Sequence, residues 1–245
     1  MGSIQWATRT QRPDLSGIPT LDVWPEYNLH GDIVGALWPR LHDELPQFQS
    51  VCWDADSGSV LAETHTVPCW WDGSDDGLGP GIDATMADAF ARLDRGEPPN
   101  ALCALAAEVA PDARSRGLAA ETLRQMRRVA AAHGLPAVIA PVRPSWKARY
   151  PLVPIAQYVT WRRADGMLLD PWMRVHERLG ARMGPPLPRS LRITGTVAEW
   201  EQWTQLSLPA SGRYVFPEGL GPLHVDREAD HCEYWEPNVW FIHQA

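Results

Sequence analysis

A strand–turn–helix–strand junction near the middle of the chain most restricts the folds that the chain can adopt. The run ALCALAAEVA (101–110) is continuously apolar and has the length of a buried strand. A basic turn with one glycine (113–117) and a long helix-forming stretch (118–133) follow it, and Gly134 is a typical residue for the end of a helix. The run PAVIAPV (136–142) predicts a second buried strand. This succession predicts an α/β fold in which helices flank one central sheet.

The segments on either side of the junction predict a polar lead-in and one domain. We expect an irregular N-terminal arm over residues 1–28 and a single domain over residues 29–245. The other predicted elements are a helix over 32–45 that Pro39 kinks or divides, a β-hairpin that turns near Asp54 to Gly58, helices over 84–96 and 170–182, and short strands after residue 183.

The composition fits a globular protein with an acidic charge balance. Hydrophobic residues make up 44% of the 245, enough for a real core, and the formal net charge is -8. This charge argues against sequence-independent nucleic-acid binding, so an anionic ligand needs a local cluster of donors. The four cysteines form no CxxC pair, and we find neither an apolar signal segment nor a run near the roughly 18 residues of a membrane span. We therefore expect a cytoplasmic protein.

The turn between the first strand and the long helix has the features of an anion site. The first turn of a helix leaves backbone N–H groups without partners, and the helix dipole places partial positive charge there. Gly117 allows a ligand to approach the backbone closely, while Arg114 and Arg116 add donors for phosphate oxygens. On these grounds alone, a pyrophosphate site and a surface turn with solvated arginines both fit.

The spacing of residues in this turn resembles a known motif. The string V-x-P-x-x-R-x-x-G-x-A, formed by Val109, Pro111, Arg114, Gly117 and Ala119, is similar to the acyl-CoA-binding motif of the GCN5-related N-acetyltransferases. Its position after a predicted buried strand and at the start of a long helix is the context that the family requires.

A later segment is similar to a second helix of the same family. In RVHERLGAR (174–182), the residues Glu177, Arg178 and Gly180 fit the family pattern, and His176 stands where a tyrosine is usual. The resemblance covers roughly residues 30–200.

The resemblance implies a central mixed, mostly antiparallel sheet flanked by helices, with a splayed parallel strand pair that binds acyl-CoA. The pair corresponds to residues 101–110 and 136–142. Relative to a minimal member, 143–169 is an insertion, and the strands over 190–245 extend the acceptor side. The cofactor-binding positions that it implies are Val109, beside the thioester carbonyl, and Arg114, Ser115, Arg116, Gly117, Leu118 and Ala119, around the pyrophosphate.

The resemblance also implies the reaction. Acetyl-CoA or another acyl-CoA would be the co-substrate, and the acyl group would pass to the amine of a small molecule by direct attack. The enzyme would be an acyltransferase of the EC 2.3.1 type. We expect no metal, because the neighbouring side chains in DHCE (230–233) point to opposite faces of a strand.

Four residues are candidates for proton transfer. Glu108 lies in an apolar strand, where burial would raise the pKa of its carboxyl towards that of a useful base; the alternative is a solvent-facing or arginine-paired carboxylate. His176 is a candidate donor to the leaving thiolate, with a surface helix histidine as the alternative. Tyr150 and Tyr158, in the insertion, are alternative donors.

The candidates for acceptor binding lie in the hairpin and in the tryptophan-rich segments. His65 is expected to share a face of its strand with Glu63. The indoles of Trp146 and Trp161 are expected to converge with those of Trp200 and Trp203 over the acceptor, the alternative being that they fill the core.

Other functions remain open at this level. The donor could be a carrier protein or aminoacyl-tRNA, the fold could decarboxylate acyl-CoA, or the protein could be a non-catalytic acyl-CoA sensor. We expect neither a nucleic-acid nor a membrane partner, and a homodimer is one state that the resemblance allows.

Overall fold

Nine strands form one sheet in residues 3–17 and 21–245, the part of the chain that a computed structural model describes. The strands are β1 (Ile4–Thr8), β2 (Ser50–Asp54), β3 (Val60–Cys69), β4 (Ala101–Val109), β5 (Ala137–Val142), β6 (Arg182–Gly195), β7 (Gly212–Tyr214), β8 (Leu223–Asp226) and β9 (His231–Gln244). Their order is β1-β2-β3-β4-β5-β9-β8-β7, and β6 also pairs along β9. The β4–β5 pair is parallel and the other pairs of named strands are antiparallel. The predicted mixed, mostly antiparallel sheet is confirmed.

Helices cover the sheet through their apolar faces. They are α1 (Val34–Glu44), α2 (Ile82–Asp94), α3 (Leu118–Ala132), α4 (Ile155–Tyr158), α5 (Pro171–Arg178) and α6 (Val197–Thr204). In α3 the buried Leu123, Met126 and Ala130 recur at helical spacing and belong to the main core. The Asp170 side chain caps α5 by accepting hydrogen bonds from the N–H groups of Trp172 and Met173. None of the helices in the described ranges is both long enough and apolar enough to cross a membrane.

The two parallel strands stay together over only a short distance. β4 and β5 pair through Leu102 with Val138 and through Cys103 with Ile139. Immediately afterwards the register between β3 and β4 shifts by one residue. His65 and Thr66 are consecutive in β3, but their partners in β4, Ala106 and Ala104, are two positions apart. The extra residue on β4 is Leu105, and a bulge of this kind bends its strand and increases the local twist. β4 therefore follows β3 away from β5, which remains paired with β9.

An aromatic cluster ties the N-terminal segment to the C-terminal strands. Tyr27, in the 3₁₀ turn Glu26–His30, contacts the rings of Trp200, Phe216 and Tyr234 at centroid distances of 6.0, 4.9 and 5.6 Å. Its hydroxyl donates to the carbonyl of Glu218 at 3.0 Å. Stacked and edge-to-face contacts of this kind fix ring geometry, so the cluster sets where the turn lies relative to β9.

Two local predictions differ from the structure. Pro39 does not divide α1, which is continuous from Val34 to Glu44 and packs the buried Leu41 on the main core, while the alternative of a kink at Pro39 stays a prediction. The N-terminal arm is not irregular throughout: Ile4–Thr8 forms the edge strand β1 against β2. Its five residues are too few, in a polar context, for the alternating pattern to stand out.

We expect Gly81→Ala to destabilise the fold strongly. Gly81 precedes α2 with φ 144°, and a Cβ there would lie 2.5 Å from the Cα of Ser190. Backbone strain and overpacking together should lower the free energy of unfolding by about 3 kcal/mol, as measured by urea denaturation. Gly96→Ala is the matched control, since Gly96 has φ +69° but a Cβ at this position would meet nothing within 4 Å. That control should lose only about 1 kcal/mol, and equal losses would contradict the steric argument.

Candidate active site

A cavity of about 860 Å³ opens where β4 and β5 separate. Its walls include residues 104–109 of β4 and 140–142 of β5, the parts of the two strands beyond their last shared pair. The start of α3 and one face of α5 also line it. Because the strands no longer pair here, their facing backbone groups are available to a ligand instead of to each other.

The basic turn lies at one end of this cavity. Pro111–Arg116 forms a 3₁₀ turn, and Gly117 follows in the left-handed conformation, with φ 75° and ψ 9°, as the N-cap of α3. A glycine has no side chain with which to cap, so the first N–H groups of α3 are available to an anion. Arg114 and Ala119 line the cavity. The predicted turn and the start of the helix at Leu118 agree with the structure.

The remaining predicted positions of this turn differ in their surroundings. The side chain of Arg116 is exposed, and that of Leu118 is buried in a small core with Ala113 and Leu61. Ser115 lies within the 3₁₀ turn. At Leu118, any contact with a ligand in the cavity would therefore come from the backbone, and the cofactor-binding roles of the whole turn stay predictions.

We expect Gly117→Val to weaken acetyl-CoA binding by at least about ten-fold, a loss of about 1.4 kcal/mol. A Cβ at Gly117 meets nothing within 4 Å in the protein, so the added side chain would project into open space, where the proposed anion would lie against the start of α3. Gly134→Val is the matched control, because Gly134 follows the C-terminal end of the same helix with φ +69° and equally open surroundings. Both variants carry similar backbone strain, so calorimetry showing equal affinities would contradict the assignment of the anion site.

Glu108 is the acidic group on the wall formed by β4. It is 3% exposed and lines the cavity, and the indole N–H of Trp24 donates to its Oε1 at 2.7 Å. Burial raises the pKa of its carboxyl from 4.5 to about 7, although the Trp24 hydrogen bond acts in the opposite direction. A carboxyl with this pKa can accept a proton near neutral pH and release it again.

We expect Glu108→Gln to change how stability depends on pH. A carboxyl with a higher pKa in the folded than in the unfolded chain binds protons preferentially in the folded state, so wild-type stability falls as pH rises from about 4.5 through about 7. The glutamine side chain binds no proton in this range. The free energy of unfolding of the variant should therefore rise by up to about 3 kcal/mol relative to that of the wild type between pH 4.5 and pH 8. Urea denaturation across this range measures the difference. The exposed Glu228→Gln should give a profile parallel to wild type.

Behind Glu108 lies a buried group of charged and polar side chains. The Arg9 guanidinium contacts Glu63 Oε1 at 2.7 Å, and His65 Nε2 lies 3.8 Å from Glu108 Oε1. Ligand-type atoms of Glu63, His65 and Glu108 all lie within 4.8 Å of one another. Two carboxylates and an imidazole can bind a divalent cation, but here Arg9 already supplies the positive charge next to Glu63. The arrangement fits an ion pair better than a metal centre, and the expected lack of a metal stays a prediction.

A second acidic group lies across the cavity on β9. Glu236 is 3% exposed, and its Oε2 accepts from Asn28 Nδ2 at 2.9 Å and from Arg143 Nε at 3.0 Å. Arg143 also donates to the hydroxyl of Tyr27 at 2.9 Å. Glu236, Asn28 and Arg143 all line the cavity. Sequence reasoning missed this group, although a charged residue inside the apolar run YWEPNVWFIH was a usable signal.

His176 lies on the face of α5 that lines the cavity. Its Nδ1 is 2.9 Å from Nε2 of His243, and among the described residues its Nε2 has no hydrogen-bond partner. Burial, and then the neighbouring His243, hold the pKa of His176 well below its usual range. The ring is therefore neutral at pH 7 and can offer a hydrogen bond to a leaving group, but it carries no surplus proton.

Tyr150 and Tyr158 lie away from the cavity. The hydroxyl of Tyr158 donates to Asp170 at 2.8 Å, and burial raises the pKa of this phenol. Tyr150 packs against Tyr158 and Trp161, and neither tyrosine is among the cavity-lining residues. Tyr158 is instead buried in the main core, so the structure gives neither ring a contact with a ligand in the cavity.

The expected convergence of four tryptophans is wrong. Trp161 packs with the insertion and Trp146 lies under Arg149, whereas Trp200 and Trp203 belong to the separate aromatic core around Tyr27. Three other tryptophans line the cavity instead: Trp24, Trp38 and Trp172. His65, also predicted to contact the acceptor, does not line the cavity but lies directly behind Glu108, with its ring 5.0 Å from that of Trp38.

A curated relative is similar to this chain over almost its whole length. No family model matches the sequence. The chain is 30% identical over 269 residues to the arginine N-acetyltransferase AvaD of Aspergillus versicolor, an alignment that covers 96% of this chain and 92% of that protein.

Solved structures show the same fold. The loading GNATL domain of CurA from Lyngbya majuscula superimposes with a TM-score of 0.59 at 16% identity, over 100% of this chain and 98% of that one. The GphF GNAT-like decarboxylase in complex with isobutyryl-CoA gives a TM-score of 0.54 at 20% identity, over 99% and 98% of the two chains.

The similarity to an arginine N-acetyltransferase over almost the whole chain, together with the shared fold, shows that this protein is an acyl-CoA-dependent N-acyltransferase. The chain belongs to the GCN5-related N-acetyltransferase superfamily.

Proposed function

We propose that the enzyme acetylates a nitrogen of arginine, or of a small molecule that carries the arginine side chain, with acetyl-CoA as the donor. The observation that carries this proposal is the pair of buried carboxylates, Glu108 and Glu236, in one cavity beside three indoles. Arg143 compensates Oε2 of Glu236, and the hydrogen-bond partner of Glu108 is the neutral Trp24 indole. A cationic acceptor would therefore add positive charge to a cavity whose two carboxyl groups share one bound cation among the described residues. The similarity to an arginine N-acetyltransferase over almost the whole chain supports the same acceptor class.

The donor half of the site follows from the junction. The pyrophosphate would contact the N–H groups at the start of α3 and the side chain of Arg114. There the helix dipole and the guanidinium both contribute positive charge. The thioester would lie along β4 near Val109, so that a backbone N–H stabilises the developing oxyanion. A small residue at position 119 leaves room for the pantetheine arm to pass.

The acceptor half would lie between Glu236 and the indoles. Among the described residues, both side-chain hydrogen bonds to Glu236 use Oε2, which leaves Oε1 to a cationic acceptor. A guanidinium is planar and stacks on aromatic faces, and Trp24 and Trp38 provide such faces on the cavity wall. The cavity volume of about 860 Å³ suits a small molecule together with the acyl end of the donor.

The reaction would use Glu108 as the general base. The acceptor nitrogen attacks in its neutral form: its lone pair forms the new bond to the thioester carbonyl carbon, its remaining surplus proton passes to Glu108, and the C–S bond then breaks to give the amide and the CoA thiolate. The thiolate takes up one proton, and the N–H of neutral His176 can stabilise it by hydrogen bonding before that proton arrives. No covalent enzyme intermediate is needed.

We expect arginine to trigger thiol release from acetyl-CoA, and Glu236→Gln to raise the KM for arginine by about ten-fold or more while the KM for acetyl-CoA stays within about two-fold. Removing one charge from a buried recognition group weakens binding of the cation but leaves the donor half of the site intact. Thiol-release kinetics with each substrate varied in turn measure both constants.

Glu233→Gln is the matched control for this experiment. Glu233 lies on the same strand, pairs with Arg192 and is not among the cavity-lining residues, so its variant should keep both constants. Thiol release without any amine would instead indicate hydrolysis or decarboxylation of the CoA ester. Binding of acetyl-CoA with no turnover across a panel of amines would indicate a sensor.

A further inference from the structure

His65 is a fully buried histidine whose ring nitrogens both lack a hydrogen-bond partner among the described residues. Leaving even one buried polar nitrogen unpaired is unfavourable, so a residue of this kind calls for a role. Its immediate surroundings are Glu63 on its own strand, Glu108 on β4, Trp38 and His42 on α1, and the guanidinium of Arg9.

The three groups Glu108, His65 and His42 lie next to one another, from the cavity wall at Glu108 to the half-buried His42 on α1. His65 Nε2 lies 3.8 Å from Glu108 Oε1, and its ring centroid is 5.3 Å from that of His42, which is only half-buried. The first separation is longer than a hydrogen bond and the second joins two ring centroids, so proton transfer along the series requires a movement of the side chains. Glu108 itself is 3% exposed and faces a cavity that the two substrates fill during the reaction.

We propose that His65 and His42 carry the proton from Glu108 to solvent while the cavity is occupied. This inference rests on the proposed role of Glu108 as the base. The nitrogen of the acceptor loses a proton to Glu108, the protonated carboxyl gives it to Nε2 of His65, and Nδ1 of His65 releases a proton to His42. His42 then gives it to water, and the carboxylate is restored for the next turnover.

The surroundings of His65 allow its ring to transfer a proton but do not stabilise the protonated ring. Burial, with smaller contributions from His42 and Arg9, lowers the pKa of His65 to about 3, so the ring is neutral and its contact with Glu108 is not an ion pair. A neutral imidazole can accept at one nitrogen and donate at the other without becoming a stable cation. Burial also lowers the pKa of His42; the charge of Arg9 lowers it further, and the charge of Asp43 acts in the opposite direction. His42 therefore releases its proton readily at neutral pH.

Chemical rescue tests this route. We expect His42→Ala to lower kcat by about ten-fold with unchanged KM values, because the exit of a proton becomes slow. Since His42 lies at the surface end of the series, added imidazole should restore kcat in a concentration-dependent manner. His224→Ala, which removes an exposed histidine on β8, is the control and should show neither the loss nor the rescue.

A second variant separates this role from a structural one. His65→Gln should also lose kcat, bind acetyl-CoA normally by calorimetry and show no rescue by imidazole, because the missing group is buried. Wild-type kcat in both variants, or a loss in His42→Ala that imidazole leaves unchanged, would overturn the route. If Glu108→Gln keeps full activity, the assignment of the base itself fails; if only that variant is inactive, the base stands and the relay fails.

Discussion

The separation of β4 from β5 is the constraint on which the site depends. Two parallel strands normally satisfy each other's backbone groups, but these two share only the pairs at Leu102 and Cys103 before Leu105 bulges out of the β3–β4 register. Each strand keeps its outer partner, β3 for β4 and β9 for β5, so the sheet does not come apart. The result is a gap lined by unpaired backbone inside an otherwise continuous sheet, where a thioester and a nucleophile can meet.

The electrostatics of the site follow from how each buried carboxylate is compensated. Burial raises the pKa of Glu63, but the Arg9 guanidinium opposes this directly. Glu236 is held by the cation of Arg143. The hydrogen bond from Trp24 to Glu108 is neutral, and burial therefore dominates there and brings its pKa to about 7. The carboxyl without its own cation is thus the one suited to exchange protons, while the paired ones are suited to recognition and support.

The sequence predicted the local structure of the proposed donor half far better than the walls of the proposed acceptor half, for a physical reason. The proposed anion site is local: strand end, turn, Gly117 and helix start follow one another directly along the chain, so their spacing alone carries the geometry. The acceptor wall is assembled from distant segments, with Trp24 and Asn28 brought against β4 and β9 by tertiary packing. Counting tryptophans could not show which indoles face the cavity, because core and cavity positions have the same composition.

The N-terminal segment shows how strongly this assembly depends on long-range contacts. Trp24 bonds to Glu108 and Asn28 bonds to Glu236, so one short stretch around the turn Glu26–His30 contacts both acidic groups from opposite walls. The aromatic contacts of Tyr27 fix that turn against the C-terminal strands. A shift of the turn would therefore move the hydrogen-bond partners of both carboxylates together. It follows that the segment expected to be an irregular N-terminal arm connects the proposed base to the proposed recognition group through its own hydrogen bonds.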